Sequence, residues 1–534
     1  MKTLIRHAKI ADGTGRPCFC ADVVVESEVI AAIGQISPFS DSFDVIIDAD
    51  GLVLSPGFID MHSHGDVIKI HQPSYAAKLM QGITTEVVGQ CGLGAAPITN
   101  GNVETWMQMT GPVLGETRAE WPWRSFGEYL QALSSAGMIN NVAALVSHGA
   151  LRAAVAGLNE RPLTEHELAD MTRLAQAAFA EGAAGFSTGL VYSPCLFADS
   201  RELDAMARVT AEAGGLFAAH VRNERDRIRE SINEIYRFCR PYAAKVHISH
   251  LKVFGRENWG SATQLLDHID QLATAGQTVS FDQYPYAAGS TMLSALLPPY
   301  AHDRGPDDLL ARLGSSEWRQ RMAYDMEIGL LGWENIGTAA GWDGILVTGF
   351  AWGPNKRWEG LSLAQIAAST SVTPQEAVFN LLTAEKLQVT LINFGQDEAD
   401  VKQILQHPHG VLGTDGLPVA KPHPREYGSS ARILGRYVRE VGLLSMEAAV
   451  SRMTSRPAMR LGLWDRGLVR CGYKADLALF NPNTVADLSS YSDPCRHPTG
   501  IEYVMINGGI AVAHRQATGE LHGQVLRRSY FARD

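Results

Sequence analysis

Eight short apolar segments, most of them separated by helical patterns, predict that this chain folds as an α/β protein on a (β/α)8 TIM-like barrel. Two further observations complete the architecture. The first and last portions share another rhythm, apolar runs broken by Gly, Asp and Pro, which predicts a small β-sandwich domain formed from both termini. The spacing before the last barrel segment is far too long for one helix, which predicts an inserted subdomain between strands 7 and 8.

Residues 1–55 form the N-terminal part of the β-domain, with Asp22-Val23-Val24-Val25 and Val29-Ile30-Ala31-Ala32-Ile33 as strands. Residues 56–465 form the barrel. Its strands are expected at Gly57 to Met61, Thr84 to Gly89, Val142 to Ser147, Ala184 to Ser187, Phe217 to His220, Val246 to His250, Thr278 to Asp282 and Gly410 to Thr414. Between them Thr164 to Glu181 places apolar residues at every third or fourth position, and Gly182 ends the helix. The insertion covers about 290–350, marked by Pro298-Pro299 and Gly341-Trp342-Asp343-Gly344. Residues 466–534 return to the β-domain through Ala475 to Phe480 and Tyr503 to Ile506. Neither terminal piece can bury much apolar surface alone, so the two are expected to pair.

Composition narrows the function. With 46% hydrophobic and 19% charged residues among 534, the chain is an ordinary folded one. A formal net charge of -11 offers no basic footprint for nucleic acid or an anionic membrane, so a small-molecule substrate is the expected partner. Lys2, Arg6 and Lys9 interrupt the start before a secretory apolar core can form. Seven scattered cysteines, an odd number, read as free thiols of a reducing compartment, and the cytoplasm is the expected location.

The chemistry gathers at the strand ends, where barrels of this kind carry their catalytic groups. His62-Ser63-His64 closes the first apolar run, and in a strand residues two apart face one way, so both imidazoles can converge on one point. The second strand leads into Gly89-Gln90-Cys91-Gly92, the fifth ends at His220, the sixth at His250 and the eighth at Asp415. Imidazole, thiolate and carboxylate in this mixture suit zinc. Parity makes Lys252 share the face of His250 if the strand continues, and turns His247 away from it.

These motifs carry a resemblance. Pro56-Gly57-Phe58-Ile59-Asp60-Met61-His62-Ser63-His64, Gly89-Gln90-Cys91-Gly92, Ala219-His220-Val221-Arg222-Asn223-Glu224, Ile248-Ser249-His250-Leu251-Lys252 and Gly413-Thr414-Asp415-Gly416 resemble the D-aminoacylase (N-acyl-D-amino-acid deacylase) group of the metal-dependent amidohydrolase superfamily. The resemblance implies that Cys91, His220 and His250 hold one tight Zn2+, and that His62, His64 and the shared Cys91 form a second, weaker site. It implies an enzyme hydrolysing linear N-acyl-D-amino acids to a carboxylate and a free D-amino acid. A metal-activated water would be the nucleophile, with Asp415 as general base and acid.

By the same resemblance Lys252, Tyr284 and Arg425 bind the α-carboxylate; Tyr192 and Ser290 are further substrate-binding candidates, and His148, at the end of the third strand, is a candidate supporting residue. Thr291 to Pro298 carries no cation, so a neutral or apolar side chain is expected unless Arg304 or Lys356 supplies one. The competing readings are hydrolysis of D-residue dipeptides or of cyclic amides such as hydantoins and dihydropyrimidines, and a silent scaffold that kept the barrel.

Overall fold

Eight parallel strands follow one another around a barrel in chain order. They are Phe58–Asp60, Ile83–Val88, Asn141–Ser147, Gly185–Gly189, Leu216–His220, Lys245–Ile248, Val279–Gln283 and Gly410–Leu412. The computed structural model describes residues 1–37, 42–115, 120–274, 276, 278–350 and 353–527. Residues 528–534 of the expected C-terminal piece therefore lie outside the described residues. The eighth strand meets the first through Met61 N donating to Leu412 O (3.0 Å) and Asp415 N donating to His62 O (2.7 Å).

Strand alternation divides the apolar residues into two shells. Ile59, Met61, Val87, Leu145, Leu216, Ala218 and Val411 belong to one buried cluster, while Val88, Val146, Phe186, Phe217, Val246, Ile248 and Phe281 pack in another with the surrounding helices. Both faces of each strand are thus covered, as parallel sheets require. The helix Glu165–Ala180 lies where its period places it, capped by Thr164 and Glu167 in a reciprocal pair of hydrogen bonds.

Strands from both ends of the chain join one nine-stranded sheet. Leu477–Phe480 pairs antiparallel with Val53–Pro56, which also lies parallel to Lys2–Ile10. From Pro56 the chain passes through Gly57 directly into the first barrel strand. A side chain there would meet Thr84 at 2.3 Å, so the crossing needs glycine. Arg466 forms a buried ion pair with Asp476, whose other oxygen accepts from Asn507 N. Asn141, at the start of the third barrel strand, donates to Asp476 at 3.0 Å, which locks the sheet to the barrel.

The segment between the seventh and eighth strands folds on its own core. Gly289–Met292, Ile345–Thr348 and Thr390–Asn393 make a three-stranded antiparallel sheet, and a buried cluster runs from Leu293 to Leu391. The packed unit therefore extends past the 290–350 stretch that composition marks. Among the described residues no helix is long and apolar enough to cross a membrane.

Removing one member of a buried ion pair strands the other. Arg466→Met is expected to lower stability by about 3–5 kcal/mol. Denaturant unfolding checks this, and a midpoint equal to that of the parent protein would rule out the pair as the lock.

Candidate metal centre

Three residues at the strand ends sit in left-handed backbone, Cys91 (φ 54°), His250 (φ 36°) and Asp415 (φ 50°). Such conformations cost about 1–3 kcal/mol each for residues other than glycine and persist where the surroundings over-determine them. Gly89 (φ 79°) begins the turn that presents Cys91, and a side chain on it would lie 2.2 Å from Leu145 O. The turn is thereby fixed against the third strand.

Cys91 is the hub. Its Sγ lies 3.4 Å from His62 Nε2, 3.5 Å from His250 Nε2 and 3.7 Å from His220 Nδ1. Asp415 stands on the other side, with Oδ1 at 3.3 Å from His64 Nε2 and 3.5 Å from His62 Nε2. The trios His62, Cys91, His250 and His62, His64, Asp415 and His220, Glu224, His250 each bring their donor atoms within 4.8 Å of one another. All of these residues are buried.

Charge explains what such a cluster wants. Four acidic groups of the site, Cys91, Glu224, Asp282 and Asp415, stand against two fixed cations, Lys252 and Arg425. Burial pushes the Cys91 thiol up, but His62 and His250 outweigh it and hold the group well below its ordinary value, as a thiolate. Burial likewise opposes ionisation of Asp415, and Arg425, His250 and His62 overcome it. His250 is raised to about 9, with burial and Lys252 opposed by Glu224, Asp415 and Cys91. Protons on these imidazoles and a metal cation compete for the same negative charge. His64 Nδ1 and His220 Nε2 are buried with no hydrogen-bond partner. Soft thiolate, imidazole and carboxylate donors and surplus anionic charge together fit zinc.

The expected substrate-binding residues also converge. Lys252 Nζ lies 2.7 Å from both oxygens of Glu224 and 2.7 Å from His250 Nδ1. It shares the side of His250, though not by strand parity, because the sixth strand already ends at Ile248. Arg425 stacks over the Tyr284 ring at 4.6 Å, its Nη1 lies 2.9 Å from Asp415 Oδ2, and its Nη2 donates to Ser290 O. Tyr192 packs edge-on against His220 and its hydroxyl bonds Thr291 (2.8 Å). His148 lies apart from this group, bonded to Thr188 (2.9 Å) and Glu202 (3.3 Å). Arg304 and Lys356 are absent from the described walls of the metal pocket and of the cavities beside it.

Three acidic residues of the site escaped sequence reasoning, and one histidine was turned the wrong way. His247 is in register with Ala218 and Ser280, on the interior face of the barrel. Its Nε2 donates to Asp282 Oδ2 at 2.9 Å, and the same oxygen lies 3.3 Å from His62 Nδ1. Asp282 Oδ1 accepts from His250 N (3.0 Å), so one carboxylate orients two metal-ligand candidates. Glu224, four residues after His220, links His250 to Lys252. Glu334 reaches in from the insertion and accepts from Glu224 N. Burial and Glu224 push its carboxyl up to about 8. A strand-borne aspartate that follows a histidine-bearing strand was the available signal for Asp282. Nothing local marks Glu334.

The chain matches the amidohydrolase family over residues 45–313 and 360–512. It is 34% identical to a D-aminoacylase of Alcaligenes xylosoxydans xylosoxydans over 98% of this chain and 97% of that one. It is 36% identical to an N-acyl-D-glutamate deacylase of the same organism, over 98% and 96%. A crystal structure of N-acyl-D-glutamate deacylase from Bordetella bronchiseptica, complexed with zinc and a phosphonate mimic of the tetrahedral intermediate, superposes with a TM-score of 0.83 at 35% identity. That comparison covers 98% of this chain and 99% of the other.

Groups that orient metal ligands typically change affinity by about 10–100-fold when removed. Asp282→Asn is expected to weaken zinc binding by that factor while the fold survives. Titration against a competing chelator, with circular dichroism as control, reads the effect, and unaltered affinity would show that His62 and His250 need no such support.

Proposed function

The chain belongs to the amidohydrolase family, and from that premise we propose that it hydrolyses the amide bond of N-acyl-D-amino acids with zinc at the barrel mouth. The observation that carries the reading is the position of Asp415, buried between the His62–His64 pair and the Arg425 guanidinium. Cys91, His220 and His250 would hold the tighter zinc, with His62 and His64 beside the shared thiolate at a second, weaker position. Bound zinc supplies a Lewis acid that polarises a carbonyl and makes water more acidic.

The protein's own groups do the rest. Asp415 accepts the proton of the attacking water and delivers it to the amide nitrogen, which leaves only once protonated. Arg425 keeps that carboxylate ionised and aimed. Lys252, Arg425 and Tyr284 receive the substrate's α-carboxylate. In support, Lys252, Tyr284 and Arg425 together line the metal pocket. Such a carboxylate belongs to a linear N-acyl-amino acid, whereas a ring amide need not carry one. The D configuration rests on the named relatives.

Those relatives differ in side chain, and identities of 34% and 36% do not choose between them. The cavity walls do favour one class. The apolar recess of Met292, Ala295, Leu309 and Leu387 beside the metal pocket carries no lysine or arginine among its described walls. A neutral or apolar side chain therefore fits better than an acidic one. Seven free thiols fit the cytoplasm as its location.

Asp415→Asn is expected to retain zinc and lose about 10²–10⁴-fold in kcat. Near-parental turnover of the metallated variant would remove Asp415 from the mechanism. Zinc-loaded enzyme assayed on paired N-acetyl-D- and N-acetyl-L-leucine, with N-acetyl-D-glutamate as comparator, is expected to prefer D-leucine. Preference for the L form would sink the substrate assignment, and preference for D-glutamate the side-chain class.

A further inference from the structure

The metal pocket is not the largest space at the mouth. Beyond it, sharing Tyr192, His220, Glu334 and Ile336 as a common wall, opens a cavity of about 590 Å³. Its remaining walls include Leu196 and Phe197 from the loop after the fourth strand, and Leu297, Tyr300 and Trp333 from the insertion. At the rim Leu331 is 100% exposed.

Acetate joined to one amino acid is small beside this space, since cavities of about 300–1,000 Å³ ordinarily hold drug-sized ligands. The substrate has two arms that could enter. One is the side chain, on the carbon that also bears the carboxylate, and the other is the acyl chain, beyond the scissile bond. Lys252, Tyr284 and Arg425 line the metal pocket and not the large cavity. With the carboxylate held by those three, the arm that leaves on the opposite side of the bond is the acyl chain. A smaller apolar recess of Met292, Ala295, Leu309 and Leu387, also reached past Tyr192, remains for the side chain.

We infer that the large cavity is an acyl chamber and that this enzyme prefers N-acyl groups well longer than acetyl, an assignment that rests on the deacylase reading above. The bond broken is the same amide bond, water supplies its hydroxyl to the acyl carbon and a proton to the nitrogen, and a medium-chain carboxylate is released.

The test is a series of N-acetyl-, N-butanoyl-, N-hexanoyl- and N-octanoyl-D-leucine. Burial of a methylene is worth about fourfold, so kcat/KM is expected to rise by about that factor per methylene until the chamber is filled. Phe197→Ala and Leu331→Asp are each expected to lower the octanoyl-to-acetyl ratio. A flat or falling series overturns the chamber, as does a rise with D side-chain length in its place. Failure of the deacylase reading looks different. No compound is hydrolysed, yet calorimetry still finds N-octanoyl-D-leucine bound to the zinc-loaded enzyme, more weakly in Phe197→Ala. Absence of both turnover and binding overturns the two together.

Discussion

The seam that closes the barrel is the constraint on which the site depends. Asp60 is buried at the end of the first strand, and its Oδ1 accepts from both Thr414 N (2.7 Å) and His62 N (3.1 Å). Lys78 lies beneath, 3.4 Å from Asp60 and 2.8 Å from Glu426. One carboxylate thus splices the last strand to the first, and in doing so sets Asp415 against His62 and His64. Residues more than 350 positions apart in the chain meet there through buried charges and hydrogen bonds. Charges so deeply buried are tolerated only when such partners are complete.

The same logic spreads around the mouth. Four of the metal-ligand candidates are backed by a charged group: Asp282 behind His62 and His250, Glu224 behind His250 and His220, Arg425 behind Asp415. The left-handed turns at Cys91, His250 and Asp415 belong to this arrangement, since strain at those positions is held by the hydrogen bonds around them. The mouth is therefore preorganised around a surplus of negative charge.

The insertion supplies what the barrel lacks. Its independent core carries Glu334 to the metal pocket and Trp333 to the cavity beside it, and with the loop after the fourth strand it encloses a space larger than the pocket itself. The barrel then sets the bond to be broken, and the insertion sets the shape of what is attached to it.

Much of this was legible in the chain. The period-two alternation of strands and the 3.6-residue period of helices are local properties, so the barrel, the shared terminal sheet and the long insertion could be read directly. The His62-Ser63-His64 pair, Cys91 between glycines, and His220, His250 and Asp415 at strand ends were visible for the same reason. Parity failed at His247, because the sixth strand ends at Ile248 and the backbone turns left-handed at His250, so one face could not be followed through. Asp282 and Glu224 matter only for what they touch across strands, and Glu334 arrives from another folding unit. The sequence by itself determined which donors exist and at which strand ends they emerge. Only the tertiary structure decided which of them share a proton, a charge or a cavity, because those contacts depend on barrel closure and on how the insertion docks, neither of which any local period encodes.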